Sequence, residues 1–167
     1  MPDPRDSLGG DRTMNPKPGG FAMKTVIRKI SQRDVQAAAA IWREVLDVRN
    51  ATDENVAETY EIMKHDDRYV TFVAEADGKI VGLAAAVKVL AIGHPGGYVK
   101  MNGIGVLPEY RHQGIGKQLM EHVERFAVEQ GAPYVGLASG INRAEAHAFY
   151  ERIGYRKTSY WFRKSLE

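Results

Sequence analysis

The stretch from Tyr98 to Ala138 constrains this chain most. Tyr98–Val106 is an apolar, strand-like run, and Pro108 closes it because proline cannot supply a further ladder N–H. After a glycine-marked turn, Leu119, Met120, Val123, Phe126 and Ala127 recur at i, i+3, i+4 spacing, which predicts a helix from about Gly114 to Gln130. Gly131 stands at its C′ position and Pro133 just beyond, so the helix has a stop as well as a stripe. Tyr134–Ala138 then reads as a short buried strand. Two strands joined by one helix at this spacing pack as a parallel, right-handed crossover.

The flanking segments extend this to an α/β fold with a mixed sheet. Thr25–Ile30 is short and β-branched, and Ser31 with Asp34 has capping-box spacing ahead of a helix to about Leu46. Thr52, backed by Asp53 and Glu54, predicts a second helix start, reaching about Lys64. Tyr69–Ala76 and Lys79–Leu90 read as strands joined by Asp77-Gly78, the dipeptide of a type I′ hairpin. Ala91–Gly97, with three glycines and a proline, reads as a loop. Asn142 and Glu145 are placed to cap a last helix to Ile153, and Tyr155–Arg163 reads as a final strand.

Composition excludes several classes. In 167 residues, 23 Lys+Arg against 21 Asp+Glu leave a charge of +2, too little for a broad nucleic-acid-binding face. With no cysteine there is no disulfide framework, no Cys nucleophile and no thiolate metal site, and no metal is expected. No apolar run approaches the roughly 20 residues of a membrane span, so a cytoplasmic protein is expected. Four of the seven prolines and four glycines lie in the first twenty residues, so residues 1–22 read as a flexible N-terminal tail or leader and 23–167 as one domain.

The segment from Val106 to Lys117 lies between a strand and a helix. Its glycines allow close approach, the first N–H groups of the helix point outward at the positive end of its dipole, and Arg111, His112 and Lys117 add charge. These are the parts of a diphosphate cradle. The segment is not a Walker loop, because Arg111 stands where the first glycine is required and Gln118 where Ser or Thr is. It is not a dinucleotide fingerprint, because Leu119 replaces the third glycine. A glycine turn that merely starts a helix fits the same letters.

Arg111-x-x-Gly114-x-Gly116 resembles the acetyl-CoA pyrophosphate motif of the GNAT superfamily of N-acetyltransferases. Asn142, followed by Phe149-Tyr150 and then Gly154-Tyr155, is similar to the second signature of that family. The resemblance implies a GNAT-like central mixed sheet flanked by helices, with one strand splayed from its neighbour to receive the pantetheine arm. Cofactor contacts then fall to Ile104, Gly105 and Val106 on the strand, to Arg111, His112, Gln113, Gly114, Ile115, Gly116 and Lys117 in the turn, and to Asn142 and Tyr150. Tyr150 matches the family's general acid, which protonates or hydrogen-bonds the leaving thiolate. Asn102 stands where many relatives carry a glutamate base, so Glu75, Glu58, His94 or a relay of water are the alternatives for taking the amine's proton.

The implied activity is acetyl transfer from acetyl-CoA to a primary amine, of a small molecule or a protein, by direct attack in a ternary complex. The alternative is a non-catalytic acyl-CoA sensor. An acceptor pocket is expected from the first two helices, the Leu90–Tyr98 loop and the last hairpin, with Trp42, Tyr60 and Tyr98 as candidate linings. Asp47, Asp53, Glu54 and Glu58 hint at a cationic amine. Relatives often dimerise through C-terminal strands, which makes Tyr155–Arg163 the segment placed to form a homodimer.

Overall fold

A computed structural model describes residues 24–166; the expected tail, residues 1–22, lies outside them. In chain order the elements are β1 (Thr25–Lys29), α1 (Val35–Glu44), α2 (Asp53–Met63), β2 (Tyr69–Ala76), β3 (Lys79–Ala91), β4 (His94–Val106), α3 (Ile115–Glu129), β5 (Val135–Leu137) and α4 (Ala144–Arg152). The sheet order is β1-β2-β3-β4-β5. Every pair is antiparallel except β4 with β5, which is parallel across the α3 connection, as the spacing predicts.

The local signals explain most element ends. Ser31 and Asp34 form the capping box on a single 3-10 turn that leads into α1. Thr52 Oγ1 accepts the Asn55 N–H at 3.3 Å and caps α2. Asp77 and Gly78 both have positive φ, the geometry of a type I′ turn. Gly131 ends α3 with φ +64, its N–H on the Val128 carbonyl and that of Ala132 on Ala127, which is a Schellman closure.

Both faces of the sheet are covered. Ile115, Leu119, Val123 and Phe126 of α3 pack with Phe72, Ala74 and Ala84 on one face, while Ala38 and Ile41 of α1 pack with Val73 and Leu83 on the other. Neighbouring residues of β2 and β3 thus serve opposite layers, and Val81–Ala86 is a buried run with no exposed side chain. The buried Lys88 directs its Nζ to the Gly96 and Gln130 carbonyls, the latter at 2.8 Å, tying the β3–β4 hairpin to the negative end of α3.

A charged knot fastens the β1 edge. Arg28 Nη1 and Nη2 donate to the two Asp34 carboxylate oxygens at 2.6 and 2.9 Å, and Nε and Nη2 donate to Glu75 Oε2 at 2.8 and 2.7 Å. Asp34 is 4% exposed. The Arg28 hydrogen bonds, aided by Ser31, hold its carboxyl well below the usual carboxylate range.

Four expectations need correction. Ala91–Gly97 is not a loop, because β3 and β4 run on as a long hairpin that turns at Ile92-Gly93, with Ala91 opposite His94. Val135–Leu137 is half-buried rather than buried. Asn142 does not cap α4, whose N-cap is Arg143 and carries no side-chain cap bond. Tyr155–Arg163 forms no strand. A strand needs a ladder, and the three-residue β5 offers little edge, so Tyr160, Trp161 and Phe162 remain exposed on this chain.

Candidate active site

The site grows out of one irregularity in β4. Met101 lies opposite Ala86 and Gly103 opposite Ala85, which leaves Asn102 as an extra, bulged residue. Val99 donates its N–H to Tyr134 on the β5 side, yet Leu107, eight residues on, donates to Val81 on the β3 side. On a regular strand two residues an even number apart face the same way. The bulge at Asn102 inverts that parity, so the amides of Ile104 and Val106 face the β5 side. Among the described residues they meet no strand there, because β5 pairs with Val99, Lys100 and Met101. The result is a splayed edge whose polar groups stand ready for an extended ligand.

Gly103 and Gly105 give room to α1. A Cβ on Gly103 would lie 2.4 Å from the Trp42 ring, and one on Gly105 would lie 3.1 and 3.2 Å from Val45 and Ile41. The two glycines let α1 sit directly on β4, and that contact presents Trp42 beside Asn102.

The turn after β4 has the form of a cradle. Gly114 adopts φ +81, with nothing nearer its absent side chain than Gln118 Nε2 at 4.0 Å. The first helical bond of α3 runs from Gln118 N–H to the Gly114 carbonyl, so the N–H groups of Ile115, Gly116 and Lys117 precede the ladder and sit at its positive end. Arg111 Nε reaches back to the Val106 carbonyl at 3.1 Å, fixing the turn to the splayed strand. His112 has positive φ, and Gln113 Nε2 donates to the Glu109 carbonyl at 3.3 Å. Lys117 is solvent-exposed, 3.7 Å from Glu121. These features suit a diphosphate: free amides and an open glycine stand at one helix start, with the Arg111 and Lys117 side chains beside them.

The second motif closes on the first. A Cβ on Gly116 would stand 3.3 Å from Phe149 of α4, so the glycine seats α4 against the start of α3. Tyr150 lines a cavity of about 120 Å³ together with Asn102, Ile104, Ala138 and Arg143. Burial pushes its phenol above the ordinary tyrosine value, partly opposed by Arg143. The ring is thus a protonated donor at neutral pH. Ser139 Oγ, just beyond β5, is buried without a hydrogen-bond partner. Asn142 is exposed and lines neither cavity described here.

A second cavity of about 410 Å³ lies between α2, α1 and the sheet, and shares Trp42, Val48 and Asn102 with the smaller one. Trp42 and Tyr60 line it, whereas Tyr98 instead stacks on Tyr134 at 5.3 Å. The proposed bases are elsewhere. Glu75 is held by Arg28, Glu58 lines neither cavity, and His94 lies eight residues up β4, roughly 26 Å away. Arg143 and Ser139 escaped sequence reasoning because isolated loop residues leave no periodic trace; the only pointer was their closeness to Asn142.

A mixed sheet with a bulged, splayed fourth strand, a glycine cradle and a tyrosine facing the gap defines an acyl-transfer class of fold. Residues 36–155 match the model of the acetyltransferase (GNAT) family. The chain belongs to that family. It is 29% identical over 142 residues to an aminoalkylphosphonate N-acetyltransferase of Salmonella typhimurium, covering 73% of this chain and 92% of that one. It is similar in fold to an aminoglycoside N-acetyltransferase solved with CoA (TM-score 0.75, 21% identity, 90% of this chain and 99% of that chain). A glucosamine-6-phosphate N-acetyltransferase from Arabidopsis thaliana gives TM-score 0.76 at 22% identity, with 86% and 99% covered.

Proposed function

We propose that this protein transfers the acetyl group of acetyl-CoA directly to a primary amine within a ternary complex. The observation that carries the reading is the bulge at Asn102, which turns the Ile104 and Val106 amides into the gap that Tyr150 faces from α4. When bound, acetyl-CoA supplies an activated thioester whose sulfur departs as a thiolate.

The chain's own residues have distinct tasks. The N–H groups of Ile115, Gly116 and Lys117 hold the diphosphate, Arg111 and Lys117 balance its charge, and His112 stands beside it in the turn. Gln113 and Gly114 shape the turn. Ile104 and Val106 align the pantetheine arm as an added strand, while Gly105 lets α1 press the strand into place. The Ile104 amide polarises the thioester carbonyl. Asn142 contacts the same arm from the loop before α4. The amine nitrogen forms the new N–C bond as the C–S bond breaks. Tyr150 gives its phenolic proton to the sulfur and recovers one from solvent. Among the described residues no carboxylate or histidine lines either cavity, so the amine's own proton leaves to water.

Mixing the protein with acetyl-CoA and a panel of primary amines is expected to release free thiol in proportion to acetylated amine. A rise in melting temperature with acetyl-CoA but no thiol from any amine would instead establish the sensor.

A further inference from the structure

Helix α2 buries none of its residues, yet it carries an apolar stripe at helical spacing. Val56, Tyr60 and Met63 of that stripe line the larger cavity, with the exposed Thr59 beside them. Opposite them stand Ala38 and Trp42 of α1, with Val70 and Ala85 of the sheet as the floor. The stripe is therefore the roof of a chamber, and its size is within the range that holds a small ligand.

The charges of the chamber are as informative as its apolar walls. Among the described residues its one charged lining side chain is Lys64, whose Nζ is 2.5 Å from Glu61 Oε2, and no carboxylate lines it. Asp47, Asp53, Glu54 and Glu58, the apparent hint of a cationic acceptor, all lie outside, with Asp53 held by Arg43 at 3.2 Å. A polycation would be buried here without a counter-charge, and a phosphonate would find Lys64 already paired with Glu61.

We infer that the acceptor is a primary monoamine on an uncharged, apolar body, such as an aralkyl or branched alkyl amine, with its body under α2 and its nitrogen at Asn102. The inference rests on the acetyl-transfer reading and deepens it. The two cavities share Trp42, Val48 and Asn102, so an apolar body in the larger one delivers its nitrogen to the splayed strand. The same environment explains how an amine reacts without a neighbouring base. A chamber without carboxylates disfavours the ammonium form, so the amine sheds its proton to water on entry and arrives as the nucleophile. This acceptor differs from the one named for the Salmonella relative.

Thiol release at fixed acetyl-CoA, with phenethylamine, isoamylamine, spermidine and 2-aminoethylphosphonate as acceptors, tests the inference. We expect kcat/KM for phenethylamine or isoamylamine to exceed that for the other two at least about tenfold. Val56→Asp adds a carboxylate to the roof and should shift the preference between phenethylamine and 1,5-diaminopentane at least about tenfold toward the diamine, with CoA affinity unchanged by calorimetry. Thr59→Asp, at an exposed lining position, should act in the same direction and covers the case of a misfolded Val56 variant. Fastest release with spermidine or 2-aminoethylphosphonate, or no shift in either folded variant, would overturn the inference alone. Acetyl-CoA binding with no thiol from any amine would overturn the enzymatic reading together with it.

Discussion

Tyr150→Phe is expected to lower kcat on the order of 10²-fold while leaving CoA affinity unchanged. The substitution keeps the ring that packs beside Phe149 and Tyr155, whose centroids lie 5.4 and 6.2 Å away, and removes only the proton donor. A hundredfold loss is about 2.7 kcal/mol of transition-state stabilisation, the scale of one positioned acid. Burial raises the phenol above its ordinary value of 10.0, so the acid form persists through the neutral range and the wild-type rate declines from loss of this proton only above about pH 10. The variant should lack that decline. An unchanged kcat would remove Tyr150 from the chemistry, and a change in KM alone would assign it to packing.

The second large effect is on stability. Asp34→Asn leaves Arg28 with Glu75 as its remaining carboxylate partner and weakens the capping box, and should cost about 2–3 kcal/mol, or roughly 5–10 °C in Tm for a domain of this size. Its pH dependence follows from the direction of the shift. Folding holds the Asp34 carboxyl below its unfolded value of 3.8, so the contribution is fully present above that pH and fades as pH falls through it. Urea denaturation between about pH 3 and pH 7 should show the gap between wild type and variant narrowing at the acid end. A difference that is constant with pH, or below about 0.5 kcal/mol throughout, would mean that the knot is solvated and structurally idle.

Much of this architecture was legible because its signals are local. The Ser31–Asp34 box, the Thr52 cap, Asp77-Gly78 and Gly131 each fix a few backbone angles, and each stands where its chemistry places it. The α3 stripe and the crossover to β5 follow from periodicity and spacing alone. What escaped is tertiary. Gly93, Gly96 and Gly97 suggested a loop where β3 and β4 run on as a hairpin, and Gly103 and Gly105 answer to the bulk of Trp42, Val45 and Ile41, which no local pattern reveals. Tyr155–Arg163 has strand-like side chains but lacks a neighbouring ladder. Asn102 drew notice only as a residue unable to act as a base. Its role as the bulge that turns the strand inside out depends on the register against β3, which the sequence does not encode within any short window.

The two motifs that carried the family resemblance were separated by more than twenty residues, yet they meet where Phe149 packs against Gly116. That contact brings the cradle, the splayed edge and Tyr150 to one place. The acidic residues near α2 do not line the chamber, because charge counted along a chain does not say which side of a helix it occupies. Arg43 takes Asp53, and among the described residues Lys64 is the one charged side chain that lines the chamber beneath.

Titration calorimetry of the full chain with CoA and, separately, with pantetheine addresses the grip of the Gly114–Lys117 turn on the diphosphate most directly. Saturable one-to-one binding of CoA, with pantetheine at least about tenfold weaker, is the predicted result. No heat with CoA, or equal affinity for both molecules, would contradict it.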